Sequence, residues 1–164
     1  MAIWITDRTQ DDVDRLKFIY GKAVNGTWTD EEKAEWLSGM KGALDYRDFS
    51  RIETGISELA SLLGADVDVK TDWDINGYLT TSDATRWLSN IESIRSKNSG
   101  DAKTAPTPTS MDRLGFETMN QLESILSDIE SIAKLTLLFL ANTWLGRTNM
   151  VLKTAYQNIL AGGR

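Results

Sequence analysis

Apolar residues recur along this chain at spacings of three and four, the period of a helix with one buried face. Val13, Leu16, Tyr20 and Ala23 form the first stripe, opened by Thr9-x-x-Asp12 as an N-cap with early acidic residues and closed by Asn25-Gly26. Thr29-Asp30-Glu31-Glu32 is a capping box that starts a second helix, with Trp36, Leu37 and Met40 towards one side and a stop near Gly39 to Gly42. From Asp45 to Leu63 the stripe is Phe49, Ile52, Ile56, Leu59 and Leu63, and Gly64 closes it. A further helix over about Thr81 to Arg95 turns Trp87, Ile91 and Ile94 inward, and one over about Phe116 to Ala133 turns in Met119, Leu122, Ile125, Leu126 and Ile129.

Between these elements the pattern changes. Val67 and Val69 alternate with polar residues from Asp66 to Asp74, which predicts an extended connector or a short strand. Residues 97–110 hold both prolines and no large apolar side chain, and read as a linker. Beyond Lys134 periodicity does not decide: Leu135, Leu137 and Phe139 alternate, Leu138 and Leu140 fill the other face, and Leu152, Tyr156 and Ile159 favour a last helix before Gly162-Gly163.

Sliding the chain against itself by 35 residues reveals a degenerate repeat. Leu44, Leu79 and Leu114 coincide, as do Asp48, Asp83 and Thr118, and then Ser50, Thr85 and Asn120. Arg51, Arg86 and Gln121 follow, then Ile52, Trp87 and Leu122. Ile56, Ile91 and Leu126 align, and finally Leu59, Ile94 and Ile129. One such unit cannot bury its stripe alone, whereas three can share a core. The expectation is an all-α helical bundle in three parts: a helical pair over 1–43, a three-repeat core over 44–133 with a Pro-containing linker at 97–110, and an apolar, basic segment over 134–164. Short strands are allowed in the connectors and near the C-terminus.

Composition narrows the chemistry. The chain has 164 residues, 41% hydrophobic and 26% charged, which fits a folded domain rather than a disordered one. It contains no cysteine and no histidine, so disulfides, thiolate chemistry, Cys/His zinc sites and imidazole bases are excluded. MAIWITDRTQDD lacks the basic start and apolar stretch of a signal peptide. The apolar run Leu135 to Leu140 falls short of the roughly 20 residues that span a bilayer.

Net charge is −6, which disfavours nucleic acid as a partner. After Glu130 there is no acidic residue, and Lys134, Arg147, Lys153 and Arg164 give that segment +4, leaving −10 on the rest. An acidic body with a basic, apolar tail suggests docking of the tail on an acidic surface, its own or a neighbour's.

Asp66, Asp68, Asp72 and Asp74 offer clustered oxygens for a cation such as calcium, but lack the turn glycine and terminal glutamate of an EF-hand and read better as turn-formers. Glu53, Glu58, Glu92 and Asp128 fall at salt-bridge spacings on helix surfaces rather than as a hydrolytic carboxylate pair. No P-loop, nucleophile elbow or dinucleotide fingerprint occurs. Of six tryptophans, Trp36 and Trp87 lie on helical stripes, while Trp4, Trp28 and Trp73 lie at element ends, where they cover the core or anchor an interface. The expected interface is Leu135, Leu138, Phe139, Trp144 and Leu145, with Trp28 and Trp73.

The stretches ITDRTQDDVDRLK, WTDEEKAEWLSGMKGALDYRDFSRIE, KTDWDINGYLTTSDATRWLSNIESIR and MDRLGFETMNQLESILSDIE resemble, over residues 4–132, a family of short virion or tail structural proteins. That family occurs in phages and prophages of Gram-positive (Firmicutes-type) gut bacteria. After Lys134 the chain departs from the family pattern, whose tail reads as short strands around Tyr, Ser and Gly. The resemblance implies a non-enzymatic tail, baseplate or fibre-attachment component, made in the host cytoplasm and carried in the virion. Its partners would be copies of itself and other virion proteins, with no substrate, cofactor or catalytic residue. Two other readings are a host-surface or carbohydrate-binding adaptor using the connector tryptophans, and a head-completion or connector protein near DNA.

Overall fold

The structure, a computed structural model, describes residues 3–98, 104–111 and 115–161, with side chains in the last stretch to Leu145 and at Arg147. Five helices make up the regular structure among the described residues: α1 (Gln10–Val24), α2 (Asp30–Ser38), α3 (Tyr46–Leu63), α4 (Thr81–Lys97) and α5 (Phe116–Ala161). No strand occurs among the described residues, so the chain is all-α there.

The helix starts follow from local chemistry. Thr9, Thr29, Asp45 and Thr80 each sit in extended backbone and accept from the third helical residue or its neighbour, while Asp12, Glu32, Asp48 and Asp83 reach back to the cap N–H. Each reciprocal box satisfies donors that a helix start would otherwise leave unpaired. At the other end of α3, Gly64 adopts φ 67°, a left-handed cap that costs glycine little.

The core lies between α3, α4 and α5, with α3 packed on both of the others. Phe49, Ile52, Ile56 and Leu59 from α3 meet Trp87, Ile91 and Ile94 from α4 and Leu122, Leu126 and Ile129 from α5. The helices begin at 46, 81 and 116, and the aligned sets Ile52/Trp87/Leu122, Ile56/Ile91/Leu126 and Leu59/Ile94/Ile129 are all buried. Leu114, third of the aligned leucines, lies outside the described residues.

In each of α1 and α2 one residue expected inward turns outward. In α1 the fully buried residue is Ile19, while Tyr20 is exposed and its ring stacks on Trp36 of α2 at 6.2 Å. Leu37 also points outward; Met40, just past α2, is buried. The short α1–α2 hairpin leans on aromatic edges and on the ion pairs Lys22–Glu32 (2.5 Å) and Arg15–Glu35 (2.7 Å). Its return passes Gly42, where an added Cβ would stand 2.1 Å from the Asp12 carbonyl oxygen.

The connector from Ala65 to Lys70 is extended but forms no strand. Val67 and Val69 lean on the core, and the Asn90 side-chain amide takes the place of a neighbouring strand: its Nδ2 donates to the Asp68 carbonyl (2.6 Å) and its Oδ1 accepts from the Asp68 N–H (3.0 Å). The described part of the proline segment is docked rather than a free linker. Arg95 donates to the Ala105 carbonyl at 2.6 Å, and Met111 inserts into the core.

At the C-terminus the structure decides what periodicity left open. Residues beyond Lys134 continue α5 without a break to Ala161, where strands were allowed. Nothing between Phe116 and Ala161 is a proline, and the leucine run has as strong a helical preference as a chain of this kind offers.

Candidate functional site

Helix α5 has two halves with opposite surroundings. Through Ala133 its inward face is sealed, with Ile125, Leu126 and Ile129 fully buried. From Lys134 onward the body ends and the helix runs on, its remaining 28 residues reaching about 42 Å further. There Leu135, Leu138, Phe139 and Leu145 are 52–69% exposed, and Leu137, Leu140 and Trp144 are 47–68% exposed. A helix apolar around most of its circumference is a buried element in a complete assembly, and a patch of this kind marks an interface.

At 3.6 residues per turn the two sets occupy different faces. Leu137, Leu140 and Trp144 prolong the line of Leu126, Ile129 and Ala133, the side that faces the core. Leu135, Leu138 and Leu145 lie between about a third and a half of a turn away, with Phe139 beside Leu135. Trp144, grouped with the others in the sequence reading, therefore belongs to a separate stripe.

The junction between halves is held by charge. Glu130 accepts from the Trp4 indole N–H at 2.6 Å and pairs with Lys134 at 2.7 Å. Burial pushes the Glu130 carboxyl up, but the Lys134 ammonium and the Trp4 N–H outweigh it and hold the group below the ordinary glutamate value.

Two turns before Glu130, Glu123 is wholly buried and carries the N-terminal segment of the chain. It accepts from the Ile5 N–H (2.6 Å), from Arg8 Nη1 (2.8 Å) and from Arg51, while Asp48 accepts from both Arg8 (3.0 Å) and Arg51 (2.8 Å). Asn120 clamps the Arg8 backbone as Asn90 clamps Asp68. Residues 3–8 are thereby strapped along the base of α5, so the free half springs from a rigid mount.

The other residues singled out in the sequence fall elsewhere. Trp73 is in the core, its ring 4.7 Å from Phe49, with the Lys70 ammonium 3.9 Å from the ring centre; its faces are not offered to a partner. Trp28 is half-buried, edge-on to Trp36 at 6.4 Å, and remote from α5's free half in role and sequence. Glu53, expected on a helix surface, is buried and accepts from the Trp87 indole (2.7 Å) and from Arg86 (2.5 Å). Asp66, Asp68, Asp72 and Asp74 all stand exposed along the connector, Asp74 closing a turn onto the Asn76 N–H. Among the described residues no three acidic groups are close enough to hold a metal ion, and no helix is long and apolar enough to cross a membrane.

Comparison with protein-family models, characterised proteins and solved structures finds no match to this chain.

A cleft of about 750 Å³ lies between α4 and the docked proline segment and is lined by Ala84, Leu88, Glu92, Thr107 and Pro108. It gathers no cluster of titratable groups. The buried Arg–Glu pairs were missed by sequence reasoning, although one signal was available. In the 35-residue alignment the arginines at 51 and 86 sit two residues before a column reading Glu53, Leu88, Glu123. Glutamates on a buried stripe beside aligned arginines imply pairing across helices.

Proposed function

We propose that this chain is a non-enzymatic structural protein of a bacteriophage or prophage particle, a tail, baseplate or fibre-attachment component. It works by packing the free half of α5 against copies of itself and against other virion proteins. The observation that carries the assembly role is the exposed apolar surface from Leu135 to Leu145 on a helix whose first half alone completes the core. The virion setting is supported by the resemblance of residues 4–132 to phage tail and virion structural proteins.

We read the three core helices as degenerate copies of one 35-residue unit. Equivalent arginines support this: Arg51 of the first copy reaches Glu123 of the third, and Arg86 of the second reaches Glu53 of the first. The third leg would join Gln121 to Leu88, where both charges are absent together. A stacked core of this kind leaves its last helix free to be extended into a connecting arm.

The test is a chain lacking residues 135–164, expressed beside the intact chain during particle production. The expected result is full helical signal from the truncated protein and its absence from purified particles, with the intact chain located on the tail by labelled electron microscopy. Incorporation of the truncated chain would overturn the role assigned to α5, and absence of the intact chain from particles would overturn the virion setting.

A further inference from the structure

The free half of α5 carries a seven-residue period. Leu135, Leu138, Asn142 and Leu145 fall alternately three and four residues apart, and the sequence keeps that alternation through Asn149, Leu152, Tyr156 and Ile159. The helix is unbroken over this stretch, about 36 Å long. Such spacing is the seam of a coiled coil, with one position of each heptad reading Leu135, Asn142, Asn149 and Tyr156 (position a) and the other Leu138, Leu145, Leu152 and Ile159 (position d).

From this, and resting on the assembly role proposed above, we infer that the helix pairs in parallel and in register with the same helix of a second copy of this chain. The asparagines choose the partner. An amide buried at the seam needs another amide at its own height, since an unpaired polar group is costly to bury. A second copy in parallel register sets Asn142 against its own counterpart. An antiparallel copy sets position a against position d, so each asparagine would face a leucine. Leucine at position d belongs to the two-stranded pattern, and a polar asparagine at position a specifies register and oligomer state.

Charge does not oppose the pairing. Of the positions flanking the seam, that of Lys134 stands opposite that of Phe139 in the other copy and that of Lys153 opposite that of Thr148, so no lysine is set against another lysine across a parallel pair. The acidic body residues are not on the arm, which has no acidic residue after Glu130. Leu137, Leu140 and Trp144, on the other face, stay available for a different neighbour.

Because the native chain has no cysteine, one introduced thiol reports on register without interference. Leu145→Cys at the seam and Thr143→Cys outside both stripes are made in the full chain and oxidised under non-denaturing conditions, with mass in solution measured in parallel. The expected results are a dimer for the intact chain, a disulfide-linked dimer for Leu145→Cys, and none for Thr143→Cys. Leu145→Asp should be monomeric, and Asn142→Leu should lose the strict two-strand mass. A dimer in which Leu145→Cys fails to cross-link overturns the parallel register. An oligomer that survives Leu145→Asp but is lost with Trp144→Asp overturns the seam while leaving α5 as the assembly element. A monomeric intact chain overturns the pairing, and particles that still incorporate such a monomer would leave the structural role standing.

Discussion

Arg8 and Glu123, 115 residues apart in sequence, meet in the interior with Nη1 and Oε1 2.8 Å apart and both side chains almost wholly buried. This pair fastens the N-terminal strap to α5 about three turns before the helix leaves the body. A second guanidinium, from Arg51, shares the same carboxylate. Removing Glu123 would leave the buried Arg8 and the partly buried Arg51 with Asp48 as their shared carboxylate. Glu123→Ala should therefore cost about 3–5 kcal/mol in chemical denaturation, as other broken buried pairs do, and Arg8→Ala should cost less, because Arg51 and the Ile5 N–H still serve the carboxylate.

Core and arm should respond differently to the same deletion of side-chain volume. Ile91→Ala removes packing at the centre of the three-helix core and should lower stability by about 2–5 kcal/mol in a denaturant titration. Leu138→Ala removes a similar volume from an exposed position, and should change the monomer's stability by less than about 0.5 kcal/mol. Its effect should appear in self-association instead.

Gly42→Ala tests the close pass between the α1–α2 hairpin's return and the start of α1. The new Cβ would lie 2.1 Å from the Asp12 carbonyl oxygen, a backbone atom in the first turn of α1 that cannot swing aside. The expected cost is about 1–3 kcal/mol, the usual range for forced overpacking, read as a lowered melting temperature. Amide exchange should quicken first in α1.

Acid should loosen the fold. Burial raises Asp45 and Asp83, but hydrogen bonds from Arg47 in the first case and from Thr80 in the second prevail, and both carboxyls lie below the ordinary aspartate value of 3.8. Glu130 is likewise below its ordinary 4.5. Groups depressed in the folded state bind more protons when unfolded, so their contribution is complete above those ordinary values and is lost as pH falls through the depressed ones. Melting temperature should be flat near neutrality and drop in that acid range. Asp83→Asn should flatten part of the drop.

Much of the helical framework was legible because caps and stripes are local signals. Thr29-x-x-Glu32 and Asp45 mark helix starts by hydrogen bonds within three residues, and Phe49, Ile52, Ile56 and Leu59 share a face by geometry alone. What escaped was set by distant partners. Ile19 and Tyr20 are neighbours, and periodicity cannot say which one turns inward; Trp36, brought round by the hairpin, gives Tyr20 an outer stacking surface. Glu53 and Glu123 look like surface acids until Arg86, Arg8 and Arg51 are brought to them from other segments. Trp73 was legible as a residue covering the core, yet it was also grouped with the interface, because its contact with Phe49 depends on how the connector folds back. The tail was ambiguous for a different reason. A run of leucines on every face carries no period of its own, and the heptad emerges only when Asn142 and Asn149 are placed on a continuous helix.

The most direct measurement is the mass in solution of two chains, one intact and one ending at Lys134, by sedimentation. Self-association of the intact chain alongside a folded, monomeric truncated chain is the predicted result. An intact chain that sediments as a monomer at every concentration, or a truncated chain that fails to fold, would contradict the reading of α5 as a core helix extended into an assembly arm.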